Sequence, residues 1–284
     1  MSKSSFPLFL ASSSSAEEKK KTVYKRLDKT NLTEVQKEIM KTNFELEKER
    51  RVNSDYMTFQ TDISEKMRRV VVDWMTGVQK RLRLHSGTKI LAISIMDRFL
   101  NLRQCPRNML QLISAVCLQI ADKFKETHNA GVDDYAYMFC QTYTIKSINR
   151  AELIVLESLG YKIRHPTSFY FLHVFWQQLD NASHDLLHLA QYFTELSLME
   201  LSFYNYLSSE VAFSALYLAN KLTGFKANLK PIRQITIYSG RNSSRCIREL
   251  TKCLQTYGKS DSPYPEVFNN HRAKLPAFEF PEDN

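Results

Sequence analysis

Glycine and proline are scarce, 7 and 8 in 284 residues, and long stretches hold neither. A many-turned β fold uses both in its reverse turns, so their scarcity favours an all-helical protein over such a fold. The five cysteines (Cys105, Cys117, Cys140, Cys246, Cys253) are odd in number and form no Cys-x-x-Cys pair. That pattern does not suit a secreted disulfide framework and fits a reducing compartment. Cys117 lies inside an apolar run, where a thiol packs as a small hydrophobe. No apolar run approaches the roughly 20 residues that a membrane helix requires. Phe6–Ala11 is too short for a signal-peptide core, and Ser12–Ser15 and the acidic Glu17 and Glu18 follow it. The expectation is a soluble, intracellular protein without a membrane partner.

Catalytic signatures are equally absent. No G-x-x-x-x-G-K-[ST], G-x-G-x-x-G or G-x-S-x-G string occurs. Of the seven histidines only His184 and His188 share a helix face, and two imidazoles fall short of the three or four ligands that zinc takes. They read as surface polar residues. The tandem acid Asp133-Asp134 falls in a predicted loop with no partner base. No enzyme, metal or cofactor is expected.

What the chain does have is helical periodicity. Residues 1–30, Ser-rich and then charged, are expected to be disordered. Asn31 with Glu34 reads as a helix start, and Leu32, Val35 and Ile39 supply an apolar stripe. This N-terminal helix (31–54) is expected to lie as an amphipathic lid on the domain after it. Asp62 is placed to cap a helix carrying Met67, Val70, Val71 and Trp74. Gly87 is expected to break the chain before a helix over Lys89–Leu102, and Pro106 to open the next. Leu112–Ala121 is apolar almost all round, which marks a helix buried at the centre of a bundle. Asn129–Asp134 reads as a loop, Ser147–Tyr161 as a helix and Lys162–Thr167 as a linker. A weak internal repeat follows: Ile120-Ala121-Asp122-Lys123-Phe124 corresponds to Leu218-Ala219-Asn220-Lys221-Leu222, and Cys117 to Ala215. A duplicated fold accounts for it. A helix is expected around Cys246–Tyr257, then a proline-containing tail over 259–284, either strapped on or mobile.

The run Met67-Arg68-Arg69-Val70-Val71-Val72-Asp73-Trp74 resembles the opening of the cyclin box in A- and B-type cyclins, and Gln60-Thr61-Asp62-Ile63 resembles their lead-in. Asp97-Arg98-Phe99-Leu100, Met109-Leu110-Gln111-Leu112, Ala121-Asp122-Lys123-Phe124, Thr142-Tyr143-Thr144, Glu152 and Pro166-Thr167 follow in the family's order. A looser match runs through Glu195-Leu196-Ser197-Leu198 and Ser209–Leu222. Pro106 with Met109–Leu112 leans toward type B. The resemblance implies an all-α fold of two tandem five-helix cyclin boxes (55–161 and 162–258) behind an N-terminal helix. It implies a non-catalytic regulatory subunit in nucleus and cytoplasm that binds and activates a cyclin-dependent protein kinase around mitosis.

The family's five hallmark positions fall on Arg68, Asp97, Leu112, Lys123 and Glu152. Arg68 and Asp97 are implied to form a structural ion pair, and breaking such a pair where it is fully buried costs roughly 3–5 kcal/mol. Leu112 is implied to be core. Lys123 and Glu152 are implied to meet the kinase, with Ile120, Phe124, Tyr161 and Ile163 adding apolar contact. From physics alone, Lys123 reads equally as a cation at a helix C-terminus and Glu152 as part of a solvated face. Met67, Val70, Val71, Trp74, Arg107, Leu110 and Gln111 match the family's docking patch for Arg-x-Leu segments of substrate proteins. The other reading is that they pack beneath the N-terminal helix or a loop.

Three positions depart from the family pattern. Gly77 and Cys140 stand where acids are usual beside that patch, and Lys125 replaces a Glu beside Phe124. The first sixty residues hold no Arg-x-x-Leu destruction box. Rival readings are a cyclin-fold scaffold without kinase activation, a transcription-factor-like clamp on DNA, and a metal-dependent enzyme. The net charge of +9 permits the DNA reading, but the excess is diffuse, as on an ordinary solvated surface, and no nucleic-acid partner is expected.

Overall fold

The computed structural model describes residues 32–138, 142–180, 183–235, 240–259 and 261–276. Among them there are twelve α-helices, five short 3-10 turns and no strand. An N-terminal helix α1 (Glu34–Glu49) precedes a first bundle of α2 (Glu65–Arg81), α3 (Ser86–Leu102), α4 (Leu110–Lys125), α5 (Val132–Met138) and α6 (Ile145–Ser158). A second bundle holds α7 (Ser168–Trp176), α8 (His184–Leu196), α9 (Ser208–Thr223), α10 (Lys230–Ile235) and α11 (Gly240–Tyr257). The tail contributes α12 (Pro265–His271).

Side-chain caps set several of the helix starts. Ser64, Thr144, Thr167 and Ser183 each accept a backbone N–H of the first turn, satisfying a donor with no intrahelical partner. At α1 the cap is Thr33, in a reciprocal box with Gln36; Asn31 lies outside the described residues. Ser64 rather than Asp62 starts α2. Gly87 does not break the chain but sits in the first turn of α3. A Cβ there would meet Lys125 Nζ at 3.0 Å, Phe169 Cδ1 at 3.1 Å and His85 Nδ1 at 3.2 Å. Close approach, not chain reversal, is what favours a glycine here. Pro106 leads into a 3-10 turn, and α4 proper begins at Leu110. Asp133 and Asp134 belong to the first turn of α5 instead of a loop, where the helix dipole favours acids.

Each bundle is built round one enclosed helix. In α4 every residue from Leu112 to Asp122 is buried, and in α9 Val211–Leu216, Leu218 and Ala219 are buried. Cys117, Ala121, Ala215 and Ala219 are fully enclosed, small residues that let neighbouring helices approach. The two helices also end alike. Asp122 Oδ2 accepts the Ala130 N–H at 2.9 Å, and Asn220 Oδ1 accepts the Ala227 N–H at 2.8 Å. A polar residue near the end of each central helix thus pins the loop that follows, which gives the sequence repeat a physical meaning.

The N-terminal helix does not lie on the first bundle as a lid. Its buried face is Met40, Asn43, Phe44 and Glu47, with Val35 and Ile39 left exposed. Phe44 stacks on Phe171 of α7 at 5.4 Å, and both Glu47 oxygens accept from Ser209 at the start of α9. No side chain of α9 itself caps that end, so Glu47 supplies the cap from a remote helix. Asp73 does the same for α12, its Oδ1 accepting the Glu266 N–H at 2.9 Å. The described part of the tail is therefore strapped on. A third lock is fully buried: Lys89 Nζ of α3 donates to Glu195 Oε2 of α8, and His271 Nε2 of α12 lies 3.0 Å from the same oxygen.

Candidate functional site

Two ion pairs join the sequence-predicted residues, and they differ in exposure. Arg68 grips Asp97 with both arms, Nε to Oδ1 at 2.7 Å and Nη2 to Oδ2 at 2.6 Å, with both side chains enclosed. Tyr56 donates to Asp97 Oδ1 at 2.7 Å, Tyr204 to Oδ2, and Arg68 Nη1 reaches the Leu198 carbonyl at 2.8 Å. Burial disfavours charge on Arg68, yet Asp97 beside it holds its pKa well above the usual value. With its polar atoms engaged and both ions enclosed, this cluster joins α2, α3 and the second bundle, and its ion pair is not presented to a partner. The tyrosines that complete it were invisible in the sequence, because no local pattern links positions so far apart.

The second pair faces outward. Lys123, in the last turn of α4, places Nζ 2.8 and 2.9 Å from the two Glu152 oxygens on α6. Lys123 keeps 42% of its side-chain exposure and Glu152 17%. Both helices are anchored from behind: Leu112, Val116 and Ala121 on α4, and Ile148, Ala151 and Val155 on α6, are buried. The pair therefore sits on a rigid base. Around it Phe124 is 53% exposed and Tyr161 61%. Tyr161 adopts the left-handed region (φ 59°) directly after Gly160 (φ 56°), with its N–H bonded to the Leu156 carbonyl at 2.9 Å. A left-handed turn thus closes α6 with an aromatic ring presented outward, an unfavourable conformation for a non-glycine residue.

Ile120 and Ile163 are corrections: both are buried and belong to the core, because their helix and linker positions turn inward. Leu153 and Ile154, which follow Glu152 in the chain, are exposed instead. Their departure from the inward face of the α6 stripe was the signal that sequence reading passed over. Lys125 carries its ammonium back toward Gly87 and the start of α3.

The proposed docking residues divide as well. Val70 is 53% exposed, Met67 and Trp74 are partly exposed, and Arg107 and Gln111 are exposed. Val71 and Leu110 are buried, Val71 because it shares the inward face of α2 with Val72, Met75 and Val78. The element that settles beside this face is α12 from the tail. Cys140 lies outside the described residues. His184 packs against Trp176 at 5.1 Å and His188 Nδ1 lies 3.3 Å from Gln191. Among the described residues no three His, Cys, Asp or Glu side chains gather as a metal would require, and no helix is long and apolar enough to cross a membrane.

Family profiles match nearly the whole described chain: "Cyclin, N-terminal domain" over residues 38–164 and "Cyclin, C-terminal domain" over residues 166–275. A "G2/mitotic-specific cyclin-B" of Hydra viridissima is 34% identical over 247 residues, covering 86% of this chain and 61% of the relative. "Cyclin-A1" of Mus musculus is 34% identical over 229 residues, covering 80% and 54%. The chain thus spans a little over half the length of these relatives. Among solved structures, a viral cyclin from herpesvirus saimiri superposes with a TM-score of 0.61 at 19% identity, over 70% of this chain and 88% of that one. A chain of the yeast RNA Pol II CTD kinase CTDK-1 complex superposes with a TM-score of 0.58 at 12% identity, over 86% and 84%. At such identities the superpositions speak for the fold alone.

Proposed function

This chain belongs to the cyclin family, and from that premise we propose that it is the regulatory subunit of a cyclin-dependent protein kinase acting around the G2/M transition, and does no chemistry itself. The observation that carries the reading is the Lys123–Glu152 pair on two helices anchored in the core, with Phe124 exposed next to Lys123 in the chain, Leu153 exposed next to Glu152, and Tyr161 exposed at the end of α6. Large apolar residues left exposed near paired polar groups mark a candidate interface. Lys123 has a donor left over after bonding Glu152, and the carboxylate has lone pairs left over, so both remain able to bond a partner's groups.

A face this firmly backed binds the partner shape that fits it and little else. Its contribution is therefore differential binding to the active kinase, which draws in the kinase's regulatory helix and completes the Lys–Glu pair there. The exposed part of α2, with Met67, Val70 and Trp74, recruits substrate proteins through Arg-x-Leu segments. Nucleus and cytoplasm are the proposed setting, with neither nucleic acid nor membrane as partner. Cys105, Cys117, Cys246 and Cys253 are all unpaired thiols, in keeping with a reducing compartment.

The test is reconstitution with a mitotic cyclin-dependent kinase, reading both complex formation and substrate phosphorylation. Lys123→Glu and Glu152→Lys should each abolish activation with the circular-dichroism spectrum unchanged. The exchanged double variant, Lys123→Glu with Glu152→Lys, rebuilds the internal pair but reverses what the kinase meets, and should stay inactive. Normal activation by both single variants would sink the assignment.

A further inference from the structure

The apolar stripe on α2 runs through Met67, Val70 and Trp74, and the next position on the same face is Gly77, which offers no side chain. Another part of the chain fills that place. A Cβ built on Gly77 would meet Glu266 Cγ, Cδ and Oε2, each at 3.6 Å. The tail's carboxylate therefore lies across bare backbone at the end of the stripe.

Its position is held from three sides. Asp73, one turn before Gly77, accepts the Glu266 backbone N–H; Val267 is buried; and His271, at the far end of α12, rests against Glu195 and the Tyr192 ring. The Glu266 side chain is only partly exposed, yet among the described residues no hydrogen bond or ion pair engages its carboxylate. The nearby Asp73 carboxyl is pushed up to about 6, mainly by burial and further by the Glu266 charge, against the opposing pull of its backbone hydrogen bonds and of Lys89.

The geometry points to Glu266 as the residue that selects a basic side chain in a segment docking on α2, a specificity-determining role played from the tail. The inference rests on the docking reading above and sharpens it. A partly exposed apolar stripe ending in an unpaired carboxylate complements a segment with a cation beside apolar residues. Arginine fits best: its guanidinium meets a carboxylate with two parallel hydrogen bonds. A segment with a neutral or acidic residue at that point gains nothing from Glu266.

The test uses the full chain and two short fluorescein-labelled peptides, one carrying an Arg-x-Leu segment and one with citrulline replacing the arginine. Fluorescence polarisation measures both against wild type, Glu266→Gln and Trp74→Ala. Glu266→Gln keeps the backbone bond to Asp73 and should weaken the arginine peptide about fivefold to tenfold, as expected for loss of a partly desolvated charge-assisted pair. The citrulline peptide should bind wild type and Glu266→Gln alike. Trp74→Ala should weaken both peptides. If Glu266→Gln binds both peptides as wild type does, or weakens both equally, the role of Glu266 is overturned while docking on α2 stands. If wild type binds neither peptide, the docking reading fails and the inference goes with it.

Discussion

The buried triad of Lys89, Glu195 and His271 offers the sharpest test of how the two halves are held together. Lys89 and Glu195 are each 1% exposed, and His271 8%. Glu195→Gln preserves shape and one acceptor but removes the anion bonded to the buried Lys89 ammonium, leaving only the more distant Asp73 as counter-charge. Stranding a buried charge in this way costs roughly 3–5 kcal/mol. At roughly 2–4 °C per kcal/mol for a chain of this size, the melting temperature should fall by on the order of 10 °C. Burial by itself would raise the Glu195 pKa, but Lys89 and His271 outweigh it and hold the carboxyl well below its ordinary 4.5.

The unfolded chain therefore takes up this proton first. The stabilisation is complete above pH 4.5 and drains away as pH falls below that value. Wild type should lose stability across that acid range, and Glu195→Gln should lack this component. Adding Lys89→Met to Glu195→Gln removes the stranded cation and should recover most of the loss. Differential scanning calorimetry reads all three proteins. A Glu195→Gln melting point within about 2 °C of wild type would show that water or a shifted side chain solvates Lys89, refuting the reasoning.

Two further expectations concern other parts of the chain. Burial pushes the Glu47 carboxyl up to about 7, against the opposing pull of the Ser209 hydrogen bonds. The folded state thus holds this proton where the unfolded state does not, and docking of α1 is fully supported below pH 4.5 and weakens as pH rises through about 7. Hydrogen exchange in α1, corrected for intrinsic rates, should be faster at about pH 8 than at about pH 5, and Glu47→Gln should erase the difference; equal protection in wild type at both values counts against it. Tyr161→Gly relieves a left-handed backbone and should leave stability unchanged or raised by about 1 kcal/mol, while weakening kinase binding. Unfolding curves and a binding isotherm separate the two effects, and unaltered kinase affinity would remove Tyr161 from the interface.

Much of this protein is local enough to read from its residues. Scarce glycine and proline, three- and four-residue apolar spacing and the all-round apolar run at Leu112–Ala121 determine a helical chain with an enclosed central helix. Arg68, Asp97, Lys123 and Glu152 could be named before any coordinates, since each keeps its order relative to a recognisable motif. What the sequence could not decide is which neighbour covers which face. Val35 and Ile39 form as regular a stripe as the one that packs, yet α1 buries the adjacent face, because Phe171 and Ser209 of the second bundle wait there. Ile120 and Leu153 are equally apolar, and only the packing sends one inward and the other out. The remote caps from Glu47 and Asp73, and the tail carboxylate over Gly77, join residues far apart in the chain. Periodicity reports the angle of a side chain about its own helix axis; the partner at that angle is chosen by the tertiary fold.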